Sequence, residues 1–119
     1  MDKFTERDLD NLAAILDYCD RISDTVNRFG KDFEIFRNDN DYRDSVLMNI
    51  LLIGEASNRL SDKCKEQMGE IPWHQMYGIR NIIVHGYIQI KDELIWDVVT
   101  NDAENLKNKI EKYTEGILF

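Results

Sequence analysis

The polar residues best suited to chemistry lie together in the second half of the chain. They are Arg80, Asn81, His85 and Tyr87, which combine a permanent cation, an amide, an imidazole and a phenol. An arginine can neutralise charge that develops on a phosphate, and a histidine can transfer protons near neutral pH. The residue types therefore suit phosphodiester cleavage, although their spacing alone is not specific to it.

The helical pattern around these residues places only two of them on one face. Asn81 and His85 are four residues apart, whereas Arg80 is displaced by about 100° around the helix axis. Three arrangements would join Arg80 and His85: the arginine swings over, the last turn unwinds at Gly86, or a second chain completes the site across a two-fold axis. We favour the third arrangement, which requires a dimer.

The same residues also have simpler structural interpretations. His85 would lie at a helix C-terminus, where the helix dipole favours an imidazolium, while Arg80 pairs with an acid and Tyr87 packs. A second polar group, residues 55–59, interrupts an apolar helix. This group is either a polar flank of the helix that makes a hydrogen bond to a neighbouring helix, or part of the functional site. In the second case Glu55 orients Arg80 or lines the same cleft.

The composition favours one helical domain spanning residues 1–119. A chain of 119 residues holds one hydrophobic core and is too short to divide comfortably into two. Six glycines and one proline provide few turns, which argues against a fold of many short strands. The formal net charge of −8 disfavours a broad nucleic-acid-binding surface, so any contact with RNA must be local.

Cysteine usage and hydropathy predict a reduced, cytoplasmic protein that does not enter a membrane. Cys19 and Cys64 are too few for a disulfide scaffold or a zinc site. The N-terminus lacks an apolar signal core, and the most apolar run, residues 46–53, is too short to cross a bilayer. His74 is expected on the surface with no second ligand at suitable spacing, so we expect no metal and no cofactor.

Apolar periodicity predicts helices throughout the first half of the chain. The first helix begins at a Thr5 cap and ends at Gly30, and a brief helical turn over residues 32–37 follows. A third helix, from about Tyr42 to Glu66, is apolar on more than one face, so it is either central or meets a second copy. Gly54 within this helix indicates close approach of another backbone.

Two further helices are predicted in the second half. Pro72 suits the first turn of the helix that carries the polar cluster, Trp73 provides a large anchor, and Gly86 allows a left-handed end. A long helix then starts at Asp92 and ends at Gly116. The sequence thus predicts an all-α fold, an antiparallel bundle of four to five helices.

Several motifs, in order along nearly the whole chain, resemble the HEPN superfamily and specifically its HepT-like toxins. They are Ile53-Gly54-Glu55-Ala56, Ile71-Pro72-Trp73, Gly78-Ile79-Arg80-Asn81 with Val84-His85 and Tyr87, and Trp96-Asp97-Val98-Val99-Thr100-Asn101-Asp102. The resemblance implies an all-helical homodimer in which both copies of the arginine-to-histidine motif face one cleft.

The resemblance also implies a metal-independent endoribonuclease toxin of a type VII-like toxin–antitoxin system. In such an enzyme the RNA 2′-hydroxyl attacks the adjacent phosphorus and leaves a cyclic phosphate end. Carried onto this sequence, His85 would transfer protons and Arg80 would neutralise the charge of the phosphorane. Asn81 would hold the phosphate or orient His85.

An antitoxin partner is implied as well. It would be a small nucleotidyltransferase of the MntA type, in a larger complex with the dimer, that attaches AMP to the tyrosine two residues after the histidine. Here that tyrosine is Tyr87. The added bulk and negative charge would exclude RNA phosphate from the cleft. Gly86 departs from the larger, often acidic residue that relatives commonly carry, and it loosens the turn before Tyr87.

Two other interpretations of the chain stay open. One is a non-catalytic HEPN module that binds a nucleotidyltransferase partner and presents Tyr87 or an RNA to it, which the acidic composition favours. The other is a helical scaffold whose polar cluster only caps a helix.

Overall fold

Seven α-helices account for most of the part of the chain that the computed structural model describes, residues 4–116 apart from the side chain of Ile88. They are α1 Glu6–Phe29, α2 Phe33–Asn38, α3 Asn40–Asn58, α4 Asp62–Gln67, α5 Trp73–Gly86, α6 Asp92–Asp97 and α7 Ala103–Tyr113. A 3-10 turn at Tyr87–Gln89 follows α5, and a π-helical segment at Val98–Asp102 joins α6 to α7. No strand forms within residues 4–116, and the predicted all-α fold is confirmed.

Both ends of α1 match the sequence prediction. The Thr5 hydroxyl accepts a hydrogen bond from the Asp8 amide at 3.0 Å, and the Asp8 carboxylate accepts one from the Thr5 amide at 3.3 Å. This reciprocal pair satisfies two amides that the first turn of a helix leaves free. At the other end Gly30 has a φ of 112°, a backbone conformation that residues with a Cβ rarely adopt.

The single helix predicted from about Tyr42 to Glu66 is wrong, because residues 59–61 divide it into α3 and α4. Ser61 starts α4, and its hydroxyl accepts a hydrogen bond from the Cys64 amide at 3.1 Å. The buried Asp8 carboxylate in turn accepts hydrogen bonds from the Ser61 amide at 2.8 Å and from its hydroxyl at 2.7 Å. A residue of α1 therefore satisfies the polar groups that the break exposes.

Burial alone would raise the pKa of Asp8, but its hydrogen bonds from Ser61 and Thr5 outweigh that effect and hold the pKa below its usual value. The carboxylate is therefore favoured in its ionised form. The break between α3 and α4 thus depends on a charge supplied by the first turn of α1.

Neighbouring long helices run antiparallel. The start of α1 lies at the end of α3, where Asp8 meets Ser61, and the later part of α1 lies at the beginning of α3, where the hydroxyls of Thr25 and Ser45 are 3.2 Å apart. The same reversal relates α3 to α5, since Gly54 lies beside Arg80 whereas residue 43 contacts residue 87. α3 thus lies between α1 and α5, as the central-helix alternative requires.

The last helical segment is shorter and less regular than predicted. Helical structure is continuous from Asp92 to Tyr113, but the Ala103 amide bonds to the Val98 carbonyl, five residues back, within the π-helical segment. Such a bulge adds a residue to one turn and locally changes the helical period. The predicted start at Asp92 is confirmed, whereas the helix ends at Tyr113 and the predicted end at Gly116 is wrong.

The helix that carries the polar cluster starts as predicted and ends differently. α5 begins directly after Pro72, and the buried Trp73 indole donates a hydrogen bond to the Met68 carbonyl at 3.1 Å. Gly86 has a φ of −143°, so the predicted left-handed end is wrong. The chain instead tightens into the 3-10 turn that starts at Tyr87, which is a common way for a helix to end.

Both cysteines are buried and free, as the sequence predicts. Burial raises the pKa of Cys19 to about 12 and that of Cys64 to about 11, so both thiols stay protonated at neutral pH. Within residues 4–116, every helix is too short or too polar to cross a bilayer.

Candidate active site

Gly54 of α3 gives α5 the room to approach at Arg80. A Cβ at position 54 would lie only 2.5 Å from the Arg80 Cβ and 3.1 Å from the Met76 carbonyl oxygen. Any larger residue at this position would have to displace α5, because neither atom lies at the end of a flexible side chain. The predicted close approach at Gly54 is confirmed, and the residue opposite it is the arginine of the motif.

Three side chains hold the Arg80 guanidinium. Its Nε donates a hydrogen bond to the Glu55 carboxylate, and its Nη1 donates one to Asn81 Oδ1 at 2.8 Å. The guanidinium carbon also lies 5.5 Å from the centre of the Tyr77 ring, within the range of a cation–π contact. The Arg80 and Glu55 side chains are 24% and 26% exposed, so the cation is held in place while part of it faces solvent.

His85 lies one helical turn after Asn81 and is exposed. Among the described side chains, none forms a hydrogen bond with the His85 imidazole. Arg80 is held by Glu55 and Asn81, and the backbone leaves helical geometry at Gly86, which has a φ of −143°. Within the described part of the chain, no hydrogen bond joins Arg80 to His85.

Tyr87 is held by α3. Its hydroxyl donates a hydrogen bond to the Asp44 carboxylate, and the Arg43 guanidinium carbon lies 5.4 Å from the centre of its ring. The hydrogen bond to Asp44 raises the pKa of Tyr87, because a phenolate beside a carboxylate is disfavoured, and partial burial adds to the effect. Tyr87 is nevertheless 41% exposed, so it can be reached from solvent.

Arg43 fastens the segment after α5 to α3. Its Nε donates a hydrogen bond to the Asp92 carboxylate at 2.8 Å, and its Nη2 donates weaker ones to the carbonyl oxygens of Tyr87 and Ile90 at 3.4 and 3.3 Å. The Arg43 side chain is only 14% exposed, so this cation is partly desolvated and well paired. Sequence reasoning missed Arg43 and Asp44, because no local pattern links them to residues more than forty positions later.

One surface connects the Glu55–Arg80 pair with the Asp44–Tyr87 pair, and we call it the α3/α5 face. On α3, Asp44, Met48, Leu51 and Glu55 follow a spacing of four, three and four residues, so they share one stripe. At one end of that stripe Asp44 contacts Tyr87 of the 3-10 turn after α5, and at the other end Glu55 contacts Arg80 of α5. Val84 of α5 lies between Arg80 and Tyr87 in the sequence, four residues after the first and three before the second.

The centre of the α3/α5 face is apolar and open to solvent. Met48 is 57% exposed and Val84 is 46% exposed. Large apolar side chains exposed between ordered polar pairs are a feature of protein interfaces. His74, the other histidine of α5, is exposed as predicted. No group of three or more His, Cys, Asp or Glu residues in the described part of the chain is arranged to hold a metal ion.

Comparison with known proteins points to one family. A family model described as Ribonuclease HepT-like matches residues 15–113. A protein of Methanocaldococcus jannaschii that is named as a candidate RNase is 32% identical over 101 residues, which cover 83% of this chain and 92% of that protein.

Other relatives carry similar names. A Thermococcus cleftensis protein, whose name proposes that it is ribonuclease HepT, is 31% identical over 101 residues, covering 81% of this chain and 92% of that protein. A second Methanocaldococcus jannaschii protein named as a candidate RNase is 28% identical over 109 residues, covering 92% of this chain and 83% of that protein. No solved structure matches the chain significantly.

Proposed function

Because this chain belongs to the ribonuclease HepT-like family, we propose that it is a metal-independent endoribonuclease toxin whose catalytic residues are Arg80, Asn81 and His85. The observation that carries the proposal is the ordered guanidinium of Arg80, which is fixed from two sides on the helix that exposes His85. A cation held in place before substrate arrives stabilises developing negative charge without a cost of reorganisation.

Arg80 is the group that would neutralise the phosphate. Its Nε and Nη1 are engaged by Glu55 and Asn81, whereas its Nη2 makes no hydrogen bond within residues 4–116. That nitrogen can donate to a non-bridging phosphate oxygen while the other contacts keep the guanidinium plane fixed. Asn81 is placed to hold Arg80 and still has an amide NH₂ to offer to the phosphate.

His85 would move the protons. As the RNA 2′-oxygen bonds to the adjacent phosphorus and the bond from phosphorus to the 5′-oxygen breaks, one proton leaves the 2′-hydroxyl and one reaches the 5′-oxygen. The products are a cyclic phosphate end and a 5′-hydroxyl end. The His85 imidazole takes the first proton, and the imidazolium formed in this way supplies the second, so one His85 serves each reaction.

A homodimer through the α3/α5 face would bring the two motifs together. Met48 and Val84 form the apolar centre of this face, and the pairs of Glu55 with Arg80 and of Asp44 with Tyr87 flank it. A two-fold axis through such a face places the same polar groups of both chains around one groove. This arrangement confines the contact with RNA to a small groove, which is compatible with a net charge of −8.

Control by a nucleotidyltransferase antitoxin completes the proposal. Tyr87 lies two residues after His85, is 41% exposed, and has its hydroxyl ordered by Asp44. Attachment of AMP at this hydroxyl would add negative charge and bulk at the edge of the groove, where it would repel the RNA backbone.

RNA cleavage by the purified protein tests the nuclease proposal. We expect Arg80→Ala and His85→Ala each to lower the cleavage rate by at least about a hundredfold, in line with the loss of charge stabilisation or of proton transfer. The matched controls are Arg59→Ala and His74→Ala, which remove exposed residues of the same types from α3's C-terminal end and from α5. Equal cleavage by the wild type and His85→Ala would refute the proposal.

A non-catalytic HEPN module that binds a nucleotidyltransferase is the second candidate. Two observations favour it: no described side chain forms a hydrogen bond with the His85 imidazole, and Arg80 is engaged by Glu55 within the chain. In that case the wild type, the Arg80→Ala variant and the His85→Ala variant would all leave RNA intact, while the partner would still bind.

A further inference from the structure

The contact between Tyr87 and Asp44 offers a chemical role beyond holding the turn in place. The two residues belong to different elements, the 3-10 turn after α5 and the first half of α3. The Tyr87 hydroxyl donates its proton in a hydrogen bond to the Asp44 carboxylate. Asp44 is exposed, so the structure does not need this pair to fill or seal the core.

Arg43 fixes the tyrosine in this pose. Its guanidinium lies over the Tyr87 ring, with 5.4 Å between the guanidinium carbon and the ring centre, and it also donates a hydrogen bond to the Tyr87 carbonyl. Arg43 is itself anchored by Asp92 at 2.8 Å. Both the ring and the backbone of Tyr87 are therefore held, and its hydroxyl points at one carboxylate oxygen.

A tyrosine hydroxyl needs a proton acceptor to become a nucleophile. The hydrogen bond to Asp44 raises the pKa of Tyr87, and partial burial and the charge of Asp44 add to this effect, so the phenolate is not formed in advance at neutral pH. The proton must then leave while the new bond forms, and a carboxylate already hydrogen-bonded to that proton is placed to accept it.

We propose that Asp44 is the catalytic base through which Tyr87 is modified by a nucleoside triphosphate, so that the toxin supplies one catalytic group for its own inactivation. The Tyr87 oxygen forms a bond to the α-phosphorus, and the bond from that phosphorus to the β-phosphate oxygen breaks. Pyrophosphate leaves, and the phenolic proton passes to the Asp44 carboxylate and then to water. This inference rests on the proposed modification of Tyr87 by AMP.

The test compares rates of AMP transfer to Tyr87 in the presence of ATP and the proposed antitoxin, a small nucleotidyltransferase, and follows the transfer by mass spectrometry of the peptide. Asp44→Asn keeps an oxygen that can accept the hydrogen bond from Tyr87 but cannot take up its proton at neutral pH. We expect it to lower the maximal rate by about a hundredfold or more, with little change in the KM for the toxin. Asp41→Asn removes the same charge from an exposed position of the same helix and is expected to leave the rate unchanged.

A second variant distinguishes loss of the base from loss of structure. Asp44→Glu restores a carboxylate on a longer side chain, so it should regain a substantial part of the rate that Asp44→Asn loses. Modification of Asp44→Asn at the wild-type rate, or equal loss in the Asn and Glu variants, would overturn the role of Asp44 as a base. Absence of AMP on the wild-type toxin would instead refute the proposed modification itself, and this inference with it.

Discussion

Replacing Gly54 by alanine should impair cleavage far more than it impairs folding. The added Cβ would lie 2.5 Å from the Arg80 Cβ, whereas ordinary contacts of this kind begin at 3.4 Å, so α5 must move by about 0.9 Å at this point. Overpacking of this kind costs about 1–3 kcal/mol, and the better helix propensity of alanine returns roughly 1 kcal/mol. The expected net loss of unfolding free energy is therefore small, between about 0 and 2 kcal/mol.

The effect on activity is expected to be larger. A shift of about 1 Å at a catalytic group can lower a rate by roughly a hundredfold, because the group no longer meets the transition state correctly. Cleavage of RNA and urea unfolding would be measured on Gly54→Ala and on Gly78→Ala. Gly78 is a helical glycine of α5, and a Cβ added there would meet no atom within 4 Å, so alanine should stabilise the protein by about 0.5–1 kcal/mol and leave cleavage intact. Full activity of Gly54→Ala would refute the view that the α3–α5 approach positions Arg80.

Three further predictions concern Glu55, Asp8 and Val84. Glu55→Gln keeps an acceptor for the Arg80 Nε but loses the negative charge, which should weaken the interaction that positions Arg80 by about 1 kcal/mol. The cleavage rate should fall roughly fivefold while the dimer stays intact. Asp8→Asn should lower the unfolding free energy at neutral pH by about 1–3 kcal/mol, measured by urea unfolding. The pKa of Asp8 is lower in the folded protein than in the unfolded chain, so ionised Asp8 stabilises the fold fully above its unfolded-state pKa. This stabilisation is lost as the pH falls through the folded-state pKa. The difference in unfolding free energy between wild type and Asp8→Asn should therefore shrink below about pH 4. Val84→Asp should convert the proposed dimer to monomers, which light scattering would detect. Ile35→Asp is the control, because it changes a similarly exposed position of α2 and should leave the dimer intact. An unchanged dimer in Val84→Asp would exclude the α3/α5 face as the interface.

The parts of the fold that depend on neighbouring residues could be predicted from the sequence. The Thr5 cap, the Gly30 end and the start of α5 at Trp73 are set by groups within a few positions of each other. Gly54 is a similar case, since a glycine inside an apolar helix indicates a close neighbour, although the sequence alone does not name Arg80 as that neighbour.

The features that were missed depend on residues far apart in the chain. The division between α3 and α4 is stabilised by a carboxylate that lies 53 positions earlier in the sequence. Arg43 and Asp44 reach Tyr87 across 44 and 43 positions, and no periodic pattern predicts such contacts. The motif residues were found because their types suggest chemistry, but the way in which Glu55 holds Arg80 required the packing of α3 on α5.

Activity of mixed dimers tests most directly the claim that Arg80 of one chain acts with His85 of another. Arg80→Ala and His85→Ala protein would be mixed in equal amounts, unfolded, refolded together, and assayed for RNA cleavage. Random refolding makes about half of the dimers mixed. If each site takes its arginine and its histidine from different chains, one of the two sites in a mixed dimer has both residues intact, so about a quarter of the wild-type activity should return. A mixture no more active than either variant alone would contradict the account.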